Sequence, residues 1–126
     1  MISRLGSGGP WEETIGYSRV VQAGPLVLTA GCTATVDGVV KHTGDAYAQT
    51  LLAVEIALEA AGQFGVTAED VVRTRMYVVG VENGDAVGRA HGAVFRDIRP
   101  VATMVFVDRL IDPEMLVEVE VEAYKP

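Results

Sequence analysis

From Leu116 to Tyr124 the chain alternates without a break. Leu116, Glu118, Glu120, Glu122 and Tyr124 fall in one set, and Val117, Val119, Val121 and Ala123 in the other. A period of two is the signature of a β-strand with one buried face, so the valines belong in a core and the glutamates outside it. Successive carboxylates on such a strand stand roughly 7 Å apart. A negative row of that density needs water, cations or arginines opposite it. The fold must therefore contain a sheet with one face covered by helices and the other wetted or met by another subunit. The preceding residues, from Arg99, read as a second strand joined to this one through a turn marked by Pro113.

Size and composition bound the rest. At 126 residues and 49% hydrophobic content, residues 1–126 form one domain, large enough to fold without disulfides or metal. No run approaches the ~18 apolar residues of a membrane span, and the N-terminus lacks the apolar core of a signal peptide. The single cysteine, Cys32, rules out an internal disulfide and fits a reducing cytoplasm. A net charge of −7 without a Lys/Arg cluster gives no attraction to phosphate backbones, so neither nucleic acid nor membrane is an expected partner.

Along the chain, a short strand is expected near Ile2–Arg4, followed by a glycine-punctuated segment in which Trp11 caps an apolar patch. Tyr17–Gly31 reads as a hairpin about the Gly24–Pro25 turn, and Val36–Gly38 as a further turn. Helices are expected over Thr43–Ala61, capped by Thr43 or Asp45 and closed by Gly62, and over Asp85–Asp97 with Val87, Ala90 and Val94 inward. Between them, Val71–Val79 is a strand with Val72, Met76 and Val78 opposing Arg73, Arg75 and Tyr77. The order ββ–α–β–α–ββ predicts an α+β fold, a mainly antiparallel sheet with both helices on one face. Arg73 and Arg75 share the glutamates' period and can neutralise them, within or between subunits.

Chemistry-bearing motifs are few. There is no phosphate loop, nucleophile elbow or zinc-protease helix, and His42 and His91 are too isolated for a metal site. Neither histidine is near Cys32 in sequence to serve as its base, and Cys32 reads as a small buried apolar residue.

The segments GYSRVVQAGPLVLTAG (16–31), EAAG (59–62), RTRMYV (73–78) and RPVATMVFVDRLIDPEMLVEVEVEAY (99–124) together resemble the Rid/YjgF family, also called endoribonuclease L-PSP. The resemblance runs from about Tyr17 to Tyr124. It implies a chorismate-mutase-like fold and a homotrimer whose sheets form a central β-barrel, with small-molecule clefts between subunits. It also implies hydrolysis of 2-imino and enamine acids to 2-keto acids and ammonia, without a cofactor. By resemblance Tyr17, Gly31 and its neighbour Cys32 line the cleft, and Glu118 matches the glutamate that positions water. The family's carboxylate-gripping arginine lies two residues after the proline of the penultimate strand. Here that proline is Pro100 and the position is Ala102; Met104 follows where the deaminase branch often has cysteine. Alanine cannot replace a bidentate guanidinium. The expectation is therefore a paralogue outside the arginine-bearing branch, with a cleft favouring neutral, apolar or cationic ligands, unless Arg19, Arg75 or Arg109 substitutes. A deaminase-type hydrolase of altered substrate class and a non-catalytic binding or sensing protein both fit. A ribonuclease fits least, because the chain is acidic and lacks a histidine pair for acid–base work on RNA.

Overall fold

A computed structural model describes all 126 residues, Met1–Pro126. Its centre is the alternating segment, now strand β8 (Val117–Tyr124), in a six-stranded sheet. The other strands of that sheet are β1 (Ile2–Leu5), β2 (Val20–Ala23), β3 (Leu26–Thr29), β6 (Val71–Val79) and β7 (Val101–Val107). Their order across the sheet is β1-β2-β3-β8-β6-β7, antiparallel throughout except for the parallel pair β6–β7. A separate small hairpin pairs β4 (Thr35–Val36) with β5 (Val39–Val40) about Asp37–Gly38, where both residues have positive φ. The two helices are α1 (Ala46–Gly62) and α2 (Gly84–Phe95). The chain is thus the expected α+β sheet with helices on its valine face.

That face is completely covered. Val117, Val119, Val121 and Ala123 are 0% exposed, and they meet Ala53, Val54 and Ala57 of α1. Alanine on the helix and valine on the strand let the two layers approach closely, and each buried valine contributes about 1.5–3 kcal/mol. Asp45 begins α1 by accepting the amide of Ala48 at 3.0 Å.

Several sequence expectations need correction. The two C-terminal strands are not neighbours. β6 lies between them, pairing antiparallel with β8 and parallel with β7, so the 108–116 connection spans β6. The parallel pair β6–β7 is joined through α2, because a tight turn cannot close a parallel pair. Gly62 is the last residue of α1, and the left-handed position falls at Gly65 (φ +85°). A register shift between Val71 and Arg73 turns Val72 outward, leaving Val71, Thr74, Met76 and Val78 facing the helices. Phe95, 2% exposed, is the largest buried side chain of α2. Trp11 is half exposed.

Candidate functional site

The glutamate row meets the arginines of β6 as their shared period predicts. Arg75 Nη1 lies 2.6 Å from Glu122 Oε2 and 3.8 Å from Glu120 Oε1, and Arg73 Nε lies 3.7 Å from Glu122 Oε2. Tyr77 Oη donates to Glu120 Oε1 at 2.8 Å. Register explains the pattern, since Arg73, Arg75 and Tyr77 stand opposite Glu122, Glu120 and Glu118. The row is therefore neutralised within one chain at two of its three members.

Glu118 is the exception: its carboxyl has no hydrogen bond or ion pair within the chain. It projects instead into an open cleft of about 1250 Å³. β3 has by then parted from β8, and Cys32 alone continues the pairing, with reciprocal backbone bonds of 2.8 and 2.9 Å to Val119. That bridge sets Gly31 against Glu118 so closely that a Cβ at residue 31 would lie 2.6 Å from its carboxyl carbon. Burial raises the pKa of Glu118, Glu120 adds to the rise, and the Arg19 charge opposes it. A carboxyl that holds its proton more tightly than usual, in a cleft and without a protein partner, is suited to exchanging protons with a bound molecule or water.

Arg19 frames the other side of Gly31. Its Nη1 donates to the Gly31 carbonyl at 2.7 Å and lies 3.6 Å from Cys32 Sγ. Its Nε is 3.9 Å from Glu12 Oε2, and its guanidinium carbon sits 5.7 Å from the Tyr17 ring centroid. The Glu12 carboxylate is held in turn by the backbone amide and hydroxyl of Ser7. Glu12–Gly16 is a single wide helical turn, closed by the Tyr17 amide donating to the Glu12 carbonyl at 3.0 Å. Through it the N-terminal segment is folded beside Gly31, and Ser7 and Trp11 join the cleft wall.

Tyr17, Gly31, Cys32 and Glu118 thus line one cleft, with Arg19 among them. Cys32 is 2% exposed, and burial pushes its thiol pKa up, which disfavours the thiolate. Ala102 and Met104 do not join this group in one chain. Ala102 is exposed on the edge strand β7, opposite Thr74, and Met104 packs toward Gly88 of α2. Neither lines the cleft of the single chain. Arg75 is occupied in the glutamate row, and Arg109 bonds the carbonyls of Leu110 and Ile111 in its own loop. His91 Nε2 bonds Thr74 Oγ1 at 2.8 Å in the packing between α2 and the sheet, away from the cleft. No three His, Cys, Asp or Glu side chains converge as metal ligands. No helix is long and apolar enough to cross a membrane.

Sequence reasoning left unplaced the part of the lining that Leu52, Glu55, Ile56 and Glu59 of α1 supply. Their spacing of three and four marks one face of α1, but nothing in sequence said what that face meets.

A sequence model of the family described as endoribonuclease L-PSP matches residues 11–125. The protein SCO2049 of Streptomyces coelicolor, itself uncharacterized, is 45% identical over 124 residues, covering 98% of this chain and 92% of that protein. The crystal structure of Rv2704 from Mycobacterium tuberculosis, a member of the YjgF/YER057c/UK114 family, is 44% identical. It covers 98% of this chain and 99% of its own, with a TM-score of 0.88. Escherichia coli TdcF, solved with bound serine, shares the fold at a TM-score of 0.80 and 19% identity, over 98% of this chain and 94% of that one.

Proposed function

The chain belongs to the endoribonuclease L-PSP (YjgF) family, and from that premise we propose that it binds a small metabolite in the Glu118 cleft and adds water to its C=N bond. The observation that carries this reading is the unpartnered Glu118 carboxyl, its pKa raised, standing over Gly31 on the cleft floor.

In its ionised form Glu118 accepts a proton from a water molecule as that water's oxygen bonds to the imine carbon, and the π electrons pass to nitrogen. Returning that proton to nitrogen, and moving the hydroxyl proton to nitrogen as the carbonyl forms, lets the C–N bond break, releasing a carbonyl compound and ammonia. Tyr17 and the backbone at Gly31 shape the space around the reacting carbon. Neither the water nor the substrate needs a metal or cofactor in this sequence of proton transfers.

Three copies assemble with their charged sheet faces inward, and the edge strand β7 of one copy completes the cleft of the next. Val101, Val105 and Phe106 of that strand are 40–59% exposed in the single chain, an apolar edge that association would cover. TdcF, which shares the fold, was solved with bound serine. A binding or sensing protein on the same fold remains the second reading, favoured by Ala102 standing where the resemblance places a substrate-gripping arginine.

The test is hydrolysis of imines generated in situ by oxidases, timed as ammonia release against an uncatalysed control for wild type and Ala102→Arg. Acceleration by wild type of any imine supports the enzyme reading. A wild type silent on amine-derived and amino-acid-derived imines alike leaves the binding reading in its place. Activity on 2-imino acids gained by Ala102→Arg places residue 102 at the cleft.

A further inference from the structure

The charges that line the cleft are lopsided, and the single cation among them is already engaged. Within one chain, Arg19 is the only Lys, Arg or His side chain on its wall. Its Nη1 is spent on the Gly31 carbonyl at 2.7 Å, its Nε faces the Glu12 carboxylate at 3.9 Å, and its side chain is only 18% exposed. Moving it onto a ligand would unpin the backbone against which Glu118 rests. Arg19 is thus a positioning residue for Glu118 rather than a ligand anchor. The edge strand β7, VATMVFV, brings no cation either.

Against this one engaged arginine stand Asp37, Glu55, Glu59, Asp112 and Glu118. None of the five is in an ion pair. Only Asp112 accepts a hydrogen bond, from the Glu114 amide at 2.8 Å. Trp11, half exposed, adds an aromatic face of the kind on which organic cations rest. A carboxylate-bearing ligand entering here would meet repulsion with no unengaged cation on this chain's wall to offset it. A cationic one would be attracted along the whole wall.

Resting on the reading of Glu118 as the water-activating group, we propose that the cleft selects a cationic ligand, and that its substrate is an iminium without a carboxylate. Such a species is what two-electron oxidation of a primary amine produces, and a second ammonium group on the chain would suit the Glu55–Glu59 wall. The step balances as R–CH=NH2⁺ + H2O → R–CHO + NH4⁺. Water oxygen bonds to carbon as Glu118 takes one proton and passes it to nitrogen; the C–N bond then breaks as the hydroxyl gives up its proton to form the carbonyl, so both protons of the water leave on nitrogen as NH4⁺. The protein then stands after an amine-oxidising reaction, and its aldehyde product requires a further oxidation or reduction.

Two measurements on the full-length protein separate this proposal from the reading beneath it. The first is calorimetric binding of hexamethylenediamine and of adipate, equal in length and opposite in charge, to wild type and to Glu55→Gln/Glu59→Gln. Both substitutions fall at exposed positions of α1, where the fold tolerates them. The expected result is diamine binding at least about tenfold tighter than adipate (about 1.4 kcal/mol), with the preference weakened in the double variant and in high salt. Adipate bound as tightly, or neither probe bound, overturns the proposal whatever the turnover. The second is hydrolysis of the imine made from hexamethylenediamine by an amine oxidase, beside the 2-imino acid made from leucine by an amino-acid oxidase. Faster loss of the diamine's imine supports the proposal, and faster loss of the 2-imino acid overturns it while leaving Glu118 its role. Selective diamine binding with neither imine hydrolysed supports the cationic ligand class and removes the catalytic role of Glu118.

Discussion

The carboxyl of Glu118 occupies the space that a side chain at Gly31 would need: a Cβ there would stand 2.6 Å from both its Cδ and its Oε2. Gly31 lies outside the left-handed region, so this close approach, and not backbone freedom, is what calls for glycine. Gly31→Ala therefore acts mainly on the site. The displaced group is the end of a flexible side chain that can swing away, so the stability cost should be about 1 kcal/mol or less. Ligand binding or turnover should fall much further. Thermal denaturation beside an activity assay checks this, and a variant with an unmoved melting point and full activity would show that the contact is incidental.

Glu118 also sets a pH dependence of stability. Its pKa is raised above the ordinary 4.5 in the folded state. The folded protein therefore binds its proton more tightly than the unfolded chain does. The stabilisation this gives is fully present below the unfolded pKa and is lost as pH rises through the folded one. Glu118→Gln removes the loss. It should be more stable than wild type at neutral pH, and the difference should shrink toward pH 4, as chemical denaturation across that range would reveal. A variant less stable than wild type at neutral pH would contradict the assigned shift.

Gln49 is fully buried and joins α1 to the segment that leads into β8. Its amide donates to the Glu114 carbonyl at 2.9 Å and to the His42 carbonyl at 3.3 Å, and accepts the Leu116 amide at 2.9 Å. Gln49→Leu fills the same volume but leaves those backbone groups without partners, and should cost about 2 kcal/mol or more. Urea denaturation measures it. A loss below about 0.5 kcal/mol would mean that water replaces the amide.

If the edge strand seals one copy against another, sedimentation should find three times the 13.4 kDa chain mass at micromolar concentration. Val105 is 40% exposed and stands opposite Tyr77 on the open face. Val105→Glu should shift the population toward the single chain without unfolding it. A wild type that sediments as a monomer would remove the shared cleft.

The order of elements and the two faces of β8 were legible because a period of two admits one solution when one face is valine and the other glutamate. That Arg73 and Arg75 could neutralise that row followed from the same period, but the Tyr77–Glu120 bond depends on the β6–β8 register. The parallel placement of β7 was not legible, since a connection as long as 108–116 fits either a wide hairpin or a crossing over β6. Gln49 escaped notice because two of its three partners lie 65 and 67 residues away, and a polar residue on a helix gives no sign of facing inward. Of the site, Tyr17, Gly31, Cys32 and Glu118 came from resemblance alone. Tyr17 and Arg19 share a face by alternation, but only the Cys32–Val119 bridge, a tertiary contact, sets Arg19 and Glu118 on either side of Gly31.

The most direct test of Glu118 as the working group is the pH dependence of imine hydrolysis in wild type and Glu118→Gln. The water-activating form is the ionised carboxylate, so the wild-type rate should rise with pH through a carboxyl pKa above 4.5. Glu118→Gln should be slower by about a hundredfold or more and lack that rise. Equal rates in the two proteins, with the same pH profile, would contradict the account.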